Sequence, residues 1–244
     1  PNRTLYQQNL AQYLAYAGDF SGAERQVRTI KQPGLFGLLS LAFAQIGQGR
    51  VQDAEATYRS LGALDEQSAS YTASGLADVA VYEGRFSEAA RLLRQGAAAD
   101  LASKDVDRAA DKFIALAHAE LLRGRKAEAM AAAEKALANS QAVKIRFLAA
   151  RVFLEAGATA RTLALSQELA SGLQTASQAY AKILNGLVAL EQRDARQAIQ
   201  DLTEANGLLD TWIGQYDLGR AYLEAGAFLQ ADSSFERSLK RRGE

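Results

Sequence analysis

The chain has 244 residues, 28 basic and 28 acidic side chains, no cysteine, and 48% hydrophobic residues. The balanced charge argues against a nucleic-acid binder, which would show a basic stripe, and the absence of cysteine excludes disulfides, thiolate metal sites and thiol nucleophiles. The compartment stays open, with the cytoplasm favoured over the periplasm.

Helix is the structure predicted along the whole chain. Only two prolines occur, where an average usage of roughly 5% would give about a dozen, and no segment alternates apolar and polar residues as a strand does. The longest apolar run, residues 35–46, is too short to cross a bilayer and is interrupted by glycine and polar residues. An all-helical chain of this length is either a bundle or a solenoid.

One short phrase returns seven times along the chain. In order it reads AGDFSGA, GQGRVQDA, YEGRFSEA, LRGRKAEA, EAGATART, EQRDARQA and EAGAFLQA. In six of the seven, a glycine stands where a left-handed residue would end one helix before the next begins. The phrases close on small residues that let two helices approach: Ala23, Ala54, Ala89, Ala129, Thr162, Ala198 and Ala231.

In chain order, these phrases predict units of two helices each, over 4–34, 35–69, 70–103, 104–142, 143–177, 178–210 and 211–244. The wide separation between Ala89 and Ala129 predicts about six extra residues near 97–108, either as a longer helix or as a loop. The fifth unit has Thr162 where alanine is expected. The sixth has Arg193 in place of the turn glycine, where a left-handed backbone costs about 1 kcal/mol or more.

The last unit carries the clearest pattern, and it resembles the tetratricopeptide repeat (TPR), a helix-turn-helix unit of about 34 residues. Seven residues match the signature of that family in order, with Ser238 at a place where a small residue is usual. They are Trp212, Leu218, Gly219, Tyr222, Gly226, Ala231 and Phe235. The resemblance implies an all-α, right-handed superhelical solenoid of about seven repeats, forming a single domain over 1–244.

The resemblance also implies a concave groove that binds a peptide or protein partner. The groove-facing positions of the first helices carry aromatic, amide and charged side chains: Gln8, Gln12, Phe43, Tyr71, Asp78, Tyr82, Asp111, His118, Arg151, Tyr180, Tyr216 and Arg220. Aromatic residues at helical spacing also fit a solenoid core, so each position has a packing alternative. The carboxylate clamp by which some family members hold chaperone tails is absent, since Leu5, Tyr71 and Gly75 occupy its basic places.

The sequence shows no constellation typical of catalysis. The only histidine, His118, has neither a cysteine nor a second histidine with which to form a metal site. Asp65 and Glu66 lie in the segment LGALDEQSAS, which is interpreted as a solvated linker between units. We therefore expect a non-catalytic chain that needs no cofactor and no metal.

The last helix is expected to leave apolar surface uncovered. It carries Phe228, Ala231, Phe235 and Leu239 without a following polar helix, although a solenoid needs polar terminal caps. Either the natural protein continues past Glu244, or two chains form a homodimer through their ends. The final unit also resembles repeat regions of bacterial signalling proteins, including serine/threonine kinases and winged-helix regulators. A self-assembly module of such a larger protein is therefore the alternative to partner binding.

Overall fold

The structure is a computed structural model that describes residues 3–241, and all fourteen regular elements in that range are helices. They are α1 (Arg3–Tyr16), α2 (Phe20–Arg28), α3 (Leu35–Gly47), α4 (Val51–Leu61), α5 (Glu66–Tyr82), α6 (Phe86–Ala102), α7 (Val106–Leu122), α8 (Lys126–Asn139), α9 (Val143–Ala156), α10 (Thr159–Ala170), α11 (Thr175–Glu191), α12 (Ala195–Leu208), α13 (Trp212–Glu224) and α14 (Phe228–Lys240). None of these described helices combines the length and apolar character that a membrane span requires.

The helices form two compact units, residues 3–112 and residues 113–241, with the boundary inside α7. In the first unit α1 packs on α2, α3 on α4 and α5 on α6, and α2 and α4 also contact the first helix of the next hairpin, α3 and α5. In the second unit α9 with α10, α11 with α12 and α13 with α14 repeat this arrangement. The hairpin order agrees with the repeated phrases, and a single domain over 1–244 stays a prediction.

A left-handed residue ends the first helix of every hairpin. Six hairpins use a glycine with φ between 72° and 93°, and the sixth in order uses Arg193 with φ 61°. After Gly84, for example, the Arg85 N–H donates back to the Ala80 carbonyl at 2.7 Å, which satisfies an orphan carbonyl of α5. The predicted turn glycines and the predicted strain at Arg193 are confirmed.

The extra residues of the third unit lengthen a helix. α6 runs to Ala102 and is 17 residues long. A short turn follows, in which Lys104 is left-handed with φ 63°. The Asp105 carboxylate then accepts a hydrogen bond from the Arg108 N–H at 3.1 Å and caps the start of α7. Of the two arrangements predicted for 97–108, the structure has the longer helix.

The segment interpreted as a solvated linker, residues 61–70, is a linker only over residues 62–65, which connect α4 to α5, and its second half is the start of α5. Glu66 is the first residue of this helix, and the Asp65 carboxylate accepts a hydrogen bond from the Ser68 N–H at 2.7 Å. Hydrogen bonding from Ser68, chiefly from its backbone N–H, holds the pKa of Asp65 below its usual value. Aspartate is among the preferred residues at a helix N-terminus because its carboxylate satisfies an unpaired backbone donor. α5 and α11 both begin a few residues before the predicted unit starts at 70 and 178.

Small residues bring the two helices of a hairpin into close contact. The closing residues of the seven phrases are all buried. Gly186 and Gly219 oppose Leu202 and Phe235, and a Cβ on either glycine would stand 2.6 Å or less from the opposing side chain. A larger residue would force the helices apart, because native cores have no spare volume at such contacts.

The first unit also buries one ion pair beneath its surface. The Lys112 ammonium donates to the Asp100 carboxylate at 2.5 Å and to the Ser70 hydroxyl at 2.7 Å, and all three residues are buried. The Lys112 stem passes close to Gly96, whose missing Cβ leaves room for it. The pair therefore joins three helices of the first unit, α5, α6 and the first part of α7.

Candidate functional site

The first unit carries six of the predicted contact residues on the first helices of its hairpins. They are Gln12 on α1, Phe43 on α3, Tyr71, Asp78 and Tyr82 on α5, and Asp111 on α7. Gln8, the other position predicted on α1, is buried, while Asp111 is exposed. The remaining five fall into two packed groups and one exposed pair.

Gln12 and Phe43 belong to an aromatic cluster. The Phe43 ring meets Tyr16 edge-on with centroids 6.3 Å apart and Phe20 edge-on at 6.1 Å. The Gln12 amide donates to the Tyr16 hydroxyl at 2.9 Å. Edge-to-face pairs contribute about 0.5–1.5 kcal/mol beyond their buried area. Phe43 thus has a packing role, and Gln12 orients one of its partners.

Tyr71 packs against a guanidinium group. The Arg108 guanidinium carbon lies 5.8 Å from the centroid of the half-buried Tyr71 ring. A hydrogen bond from Arg108 Nε to the Asp105 carboxylate at 2.5 Å fixes the guanidinium group in place and raises the pKa of Arg108. The contact between Tyr71 and Arg108 consequently links α5 to α7.

Asp78 and Tyr82 form the exposed pair. Among the described residues, the Asp78 carboxylate has no hydrogen bond and no ion pair, although it is accessible to solvent. Surrounding protein atoms replace part of its hydration, which disfavours the charged form and raises its pKa to about 6. Its charge also contributes, after desolvation, to raising the pKa of the buried Tyr58 to about 12.

Tyr82 lies one turn beyond Asp78 on the same helix, and its side chain is 69% exposed. Residues four apart on a helix share one face. An open aromatic ring beside an uncompensated carboxylate offers a partner both apolar contact and charge. This pair, Asp78 and Tyr82, is hereafter the α5 pair.

The second unit carries the other five predicted residues on α7, α9, α11 and α13. They are His118, Arg151, Tyr180, Tyr216 and Arg220. His118 is exposed, and within residues 3–241 no three histidine, aspartate or glutamate side chains gather as a possible metal-ligand set. Tyr216 packs against Phe235 with ring centroids 5.9 Å apart.

Arg151 and Arg220 are joined by a residue that the sequence did not single out, Asp217. Arg151 Nη1 donates to Asp217 Oδ2 at 2.5 Å, and Arg220 Nη1 donates to Asp217 Oδ1 at 3.2 Å. The Asp217 side chain is 0% exposed, so its charge depends on these two partners. The bond from Arg151 links α9 to α13.

Aromatic stacking extends this cluster to α11. The Arg151 guanidinium carbon lies 5.7 Å from the Phe147 ring centroid, and the Phe147 ring stacks on Tyr180 at 4.3 Å with an angle of 15° between the planes. Three of the predicted contact residues, Arg151, Tyr180 and Arg220, therefore contact other side chains of the second unit. We call Phe147, Arg151, Tyr180, Asp217 and Arg220 the α9–α13 network.

The last helix exposes apolar side chains, as the sequence predicted. Phe228 and Leu239 are exposed, whereas Ala231 is buried and Phe235 half-buried against α13. Leu229 is the most exposed of the large apolar residues on this helix, at 86%.

Solved structures of other proteins match this chain along most of its length. PilF from Pseudomonas aeruginosa aligns over 92% of this chain and 96% of its own, with 16% identity and a TM-score of 0.59. The apo form of RapI aligns over 96% of this chain and 75% of its own, with 13% identity and a TM-score of 0.58. Cut9, in the APC/C hetero-tetramer Cut9-Hcn1, aligns over 89% of this chain and 48% of its own, with 16% identity and a TM-score of 0.51.

PilF and Cut9 are TPR-repeat proteins. The chain has an all-α, TPR-like solenoid fold. At such low identities the likeness establishes the fold alone. No protein-family model and no curated protein sequence matches the chain.

Proposed function

We propose that this chain is a non-catalytic interaction module that binds a peptide or protein segment through the first-helix face of its first unit. The observation that carries the proposal is the α5 pair, a solvent-accessible carboxylate without a partner among the described residues, next to a tyrosine that is 69% exposed. Folds built from TPR-like repeats generally serve as scaffolds for protein partners. Asp78 and Tyr82 are both exposed and lie one helical turn apart, so one partner segment can contact both side chains.

The chemistry of the α5 pair selects the bound segment. A basic side chain would pair with the Asp78 carboxylate, and a neighbouring apolar or aliphatic side chain would cover the Tyr82 ring. Because the carboxylate must be ionised to attract a cation and its pKa lies at about 6, binding should strengthen as the pH rises from 5 to 7.

A capture experiment tests this function. The immobilised parent chain and an Asp78→Asn, Tyr82→Ala variant are exposed to extract from the source organism, and retained proteins are identified by mass spectrometry. Tyr13→Ala is the matched control, because Tyr13 is similarly exposed, at 71%, but lies outside the predicted set. We expect a partner that the parent and Tyr13→Ala retain and the double variant loses. Equal retention by all three chains would remove the α5 pair as the binding site.

Self-assembly is the second candidate function, and the exposed Phe228 and Leu239 on α14 favour it. It would take the form of a homodimer that covers these side chains. Light scattering over a hundredfold concentration range tests it, since a mass that stays monomeric throughout would remove it. The place of such a module in a larger signalling protein stays a prediction from the sequence of the final unit.

A further inference from the structure

We propose that the second unit has a separate peptide site, a groove between α12, α13 and α14 that binds an extended segment through its main chain. The groove has a volume of about 610 Å³, within the range of roughly 300–1,000 Å³ that is common for ligand pockets. Its walls include Asn206, Gly207, Gln215, Leu229 and Arg237. All of its lining residues belong to the second unit, and none belongs to the α5 pair or the α9–α13 network.

Two side-chain oxygens in the groove wall have no hydrogen-bond partner among the described residues. Gln215 is 3% exposed, and its Nε2 donates to Asp210 Oδ1 at 2.7 Å. Because the amide nitrogen must face that carboxylate, the other end is the oxygen, and Oε1 is left unpaired. Asn206 repeats the arrangement, with Nδ2 donating to the Leu202 carbonyl at 3.0 Å and Oδ1 unpaired.

Such oxygens are costly to the free protein. A buried acceptor without a donor destabilises the folded protein, because it has lost its bonds to water without replacing them, and most buried polar atoms in folded proteins are paired. Both oxygens belong to side chains that line the groove, and because the atoms themselves are buried, each amide must rotate toward the groove before a bound donor can reach it. A ligand that supplies N–H groups removes this cost on binding.

One glycine, Gly207, lines the groove, and a second, Gly214, packs against the wall residue Asn206. A Cβ on Gly214 would stand 2.6 Å from Asn206 Oδ1, so this glycine makes room for the unpaired oxygen. A Cβ on Gly207 would meet no atom within 4 Å, so this position opens onto free space. The groove is consequently open at Gly207 on α12.

The remaining wall favours a peptide over a free amine. The Asp210 carboxylate already pairs with Arg241 at 3.2 Å, and the Arg237 guanidinium group on the wall has no ion-pair partner among the described residues. This local positive charge opposes a cation and favours a carboxylate. A peptide main chain alternates donors for the two amide oxygens with acceptors for Arg237. The apolar residues Leu218, Tyr222 and Leu229 can cover an aliphatic side chain.

A peptide titration tests the site on the full chain. The probe is acetyl-Ala-Leu-Ala-Leu with a free terminal carboxylate, added to ¹⁵N-labelled protein while the side-chain amide signals of Asn206 and Gln215 are followed by NMR. Both signals should shift on binding. The same peptide methylated on all four amide nitrogens should bind about tenfold or more weakly, because it has no N–H donor.

Variants of the protein locate the bound peptide. Gly207→Leu fills the groove without deleting a hydrogen bond, so it should weaken binding about tenfold or more while Tm stays equal or rises, since leucine favours helix over glycine. Arg237→Gln should weaken binding about fivefold. Gln200→Leu, on α12 outside the groove, is the matched control and should bind like the parent.

Three results would overturn the proposal: unshifted Asn206 and Gln215 signals, equal affinities for the plain and methylated peptides, or parental affinity in Gly207→Leu. Tight binding of spermidine with the same signal shifts would likewise identify a cation site in place of a peptide site. The Asp78→Asn, Tyr82→Ala variant should bind this probe like the parent chain, which separates the outcome from that of the proposed function.

Discussion

The two units use a carboxylate on a first helix in opposite ways. In the first unit Asp78 is accessible and has neither hydrogen bond nor ion pair among the described residues. In the second unit Asp217 is fully buried and held by Arg151 and Arg220. The Asp78 carboxylate is therefore accessible to a ligand, whereas the Asp217 carboxylate is neutralised by ion pairs within the fold. A charged residue on a first helix is thus a candidate for binding only where no partner within the chain neutralises it.

The largest expected effect concerns the buried ion pair of the first unit. Lys112→Met should lower the free energy of unfolding by about 3–5 kcal/mol, because it strands the Asp100 carboxylate in the interior. The double variant Lys112→Met, Asp100→Leu should recover most of this loss, because two apolar side chains replace the pair. Urea unfolding of the three chains measures both steps. A single variant as stable as the parent would show that the pair is not shielded from water.

The α9–α13 network gives the next effect. Arg151→Ala should lower the free energy of unfolding by about 2–3 kcal/mol, since Asp217 keeps only the longer bond from Arg220. Arg161→Ala is the control, because Arg161 pairs with Glu134 on the surface at 3.0 Å, where such pairs contribute about 0–1 kcal/mol. Similar losses for both variants in urea unfolding would contradict a structural role specific to the network.

The two left-handed residues that are not glycine allow a test in each unit. Lys104→Gly and Arg193→Gly should each raise the free energy of unfolding by up to about 1 kcal/mol, since the relief of left-handed strain exceeds the entropy cost of glycine. Gly49→Ala, at a turn with φ 75°, should have the opposite sign. Thermal unfolding suffices to rank the three, and a destabilised Arg193→Gly chain would mean that the arginine side chain makes a contact worth more than the strain.

The smallest effect is the pH dependence of the α5 pair. The pKa of Asp78 is raised from 3.8 in the unfolded reference to about 6 in the folded chain, so the folded state holds its proton more tightly. Its contribution to stability is complete below about pH 4 and is lost as the pH rises through about 6. Solvent exposure keeps this contribution below about 1 kcal/mol.

Asp78→Asn removes this titration. The difference in unfolding free energy between parent and variant, measured in urea at pH 4, 5, 6 and 7, should therefore shift in favour of the variant as the pH rises. A constant difference would show that Asp78 is fully hydrated. The comparison must use this difference because other carboxylates change the stability of both chains with pH in the opposite sense. Glu24 and Glu55 have lowered pKa values in the folded chain, so their contribution to the free energy of unfolding falls as the pH falls.

The sequence predicts the helices, the turn residues and the close contacts because each depends on local requirements. A left-handed turn requires glycine, as at Gly84, or a residue that tolerates backbone strain, as at Arg193. A close contact between helices requires a small residue, as at Ala54. Asp65 was also recognisable, since aspartate before a helix is a common cap.

The pairing within the candidate site could not be predicted in the same way. Arg151 finds Asp217 across 66 positions of sequence, and no local pattern relates them. The groove beside Gln215 depends on three helices and on which end of an amide faces a carboxylate. Exposure of Asp78 is likewise a property of its neighbours in space, and its residue type alone does not determine it.

The buried contact of Lys112 with Asp100 and Ser70 has a consequence for assembly of the stack. The hairpins meet largely through alanine and glycine, which recur in most repeats and therefore permit a hairpin to dock one repeat out of register. A lysine misplaced in this way would bury its charge without an oxygen partner, at a cost of several kcal/mol. Only the native order of α5, α6 and α7 satisfies it, much as a single polar core residue fixes the alignment of a coiled coil.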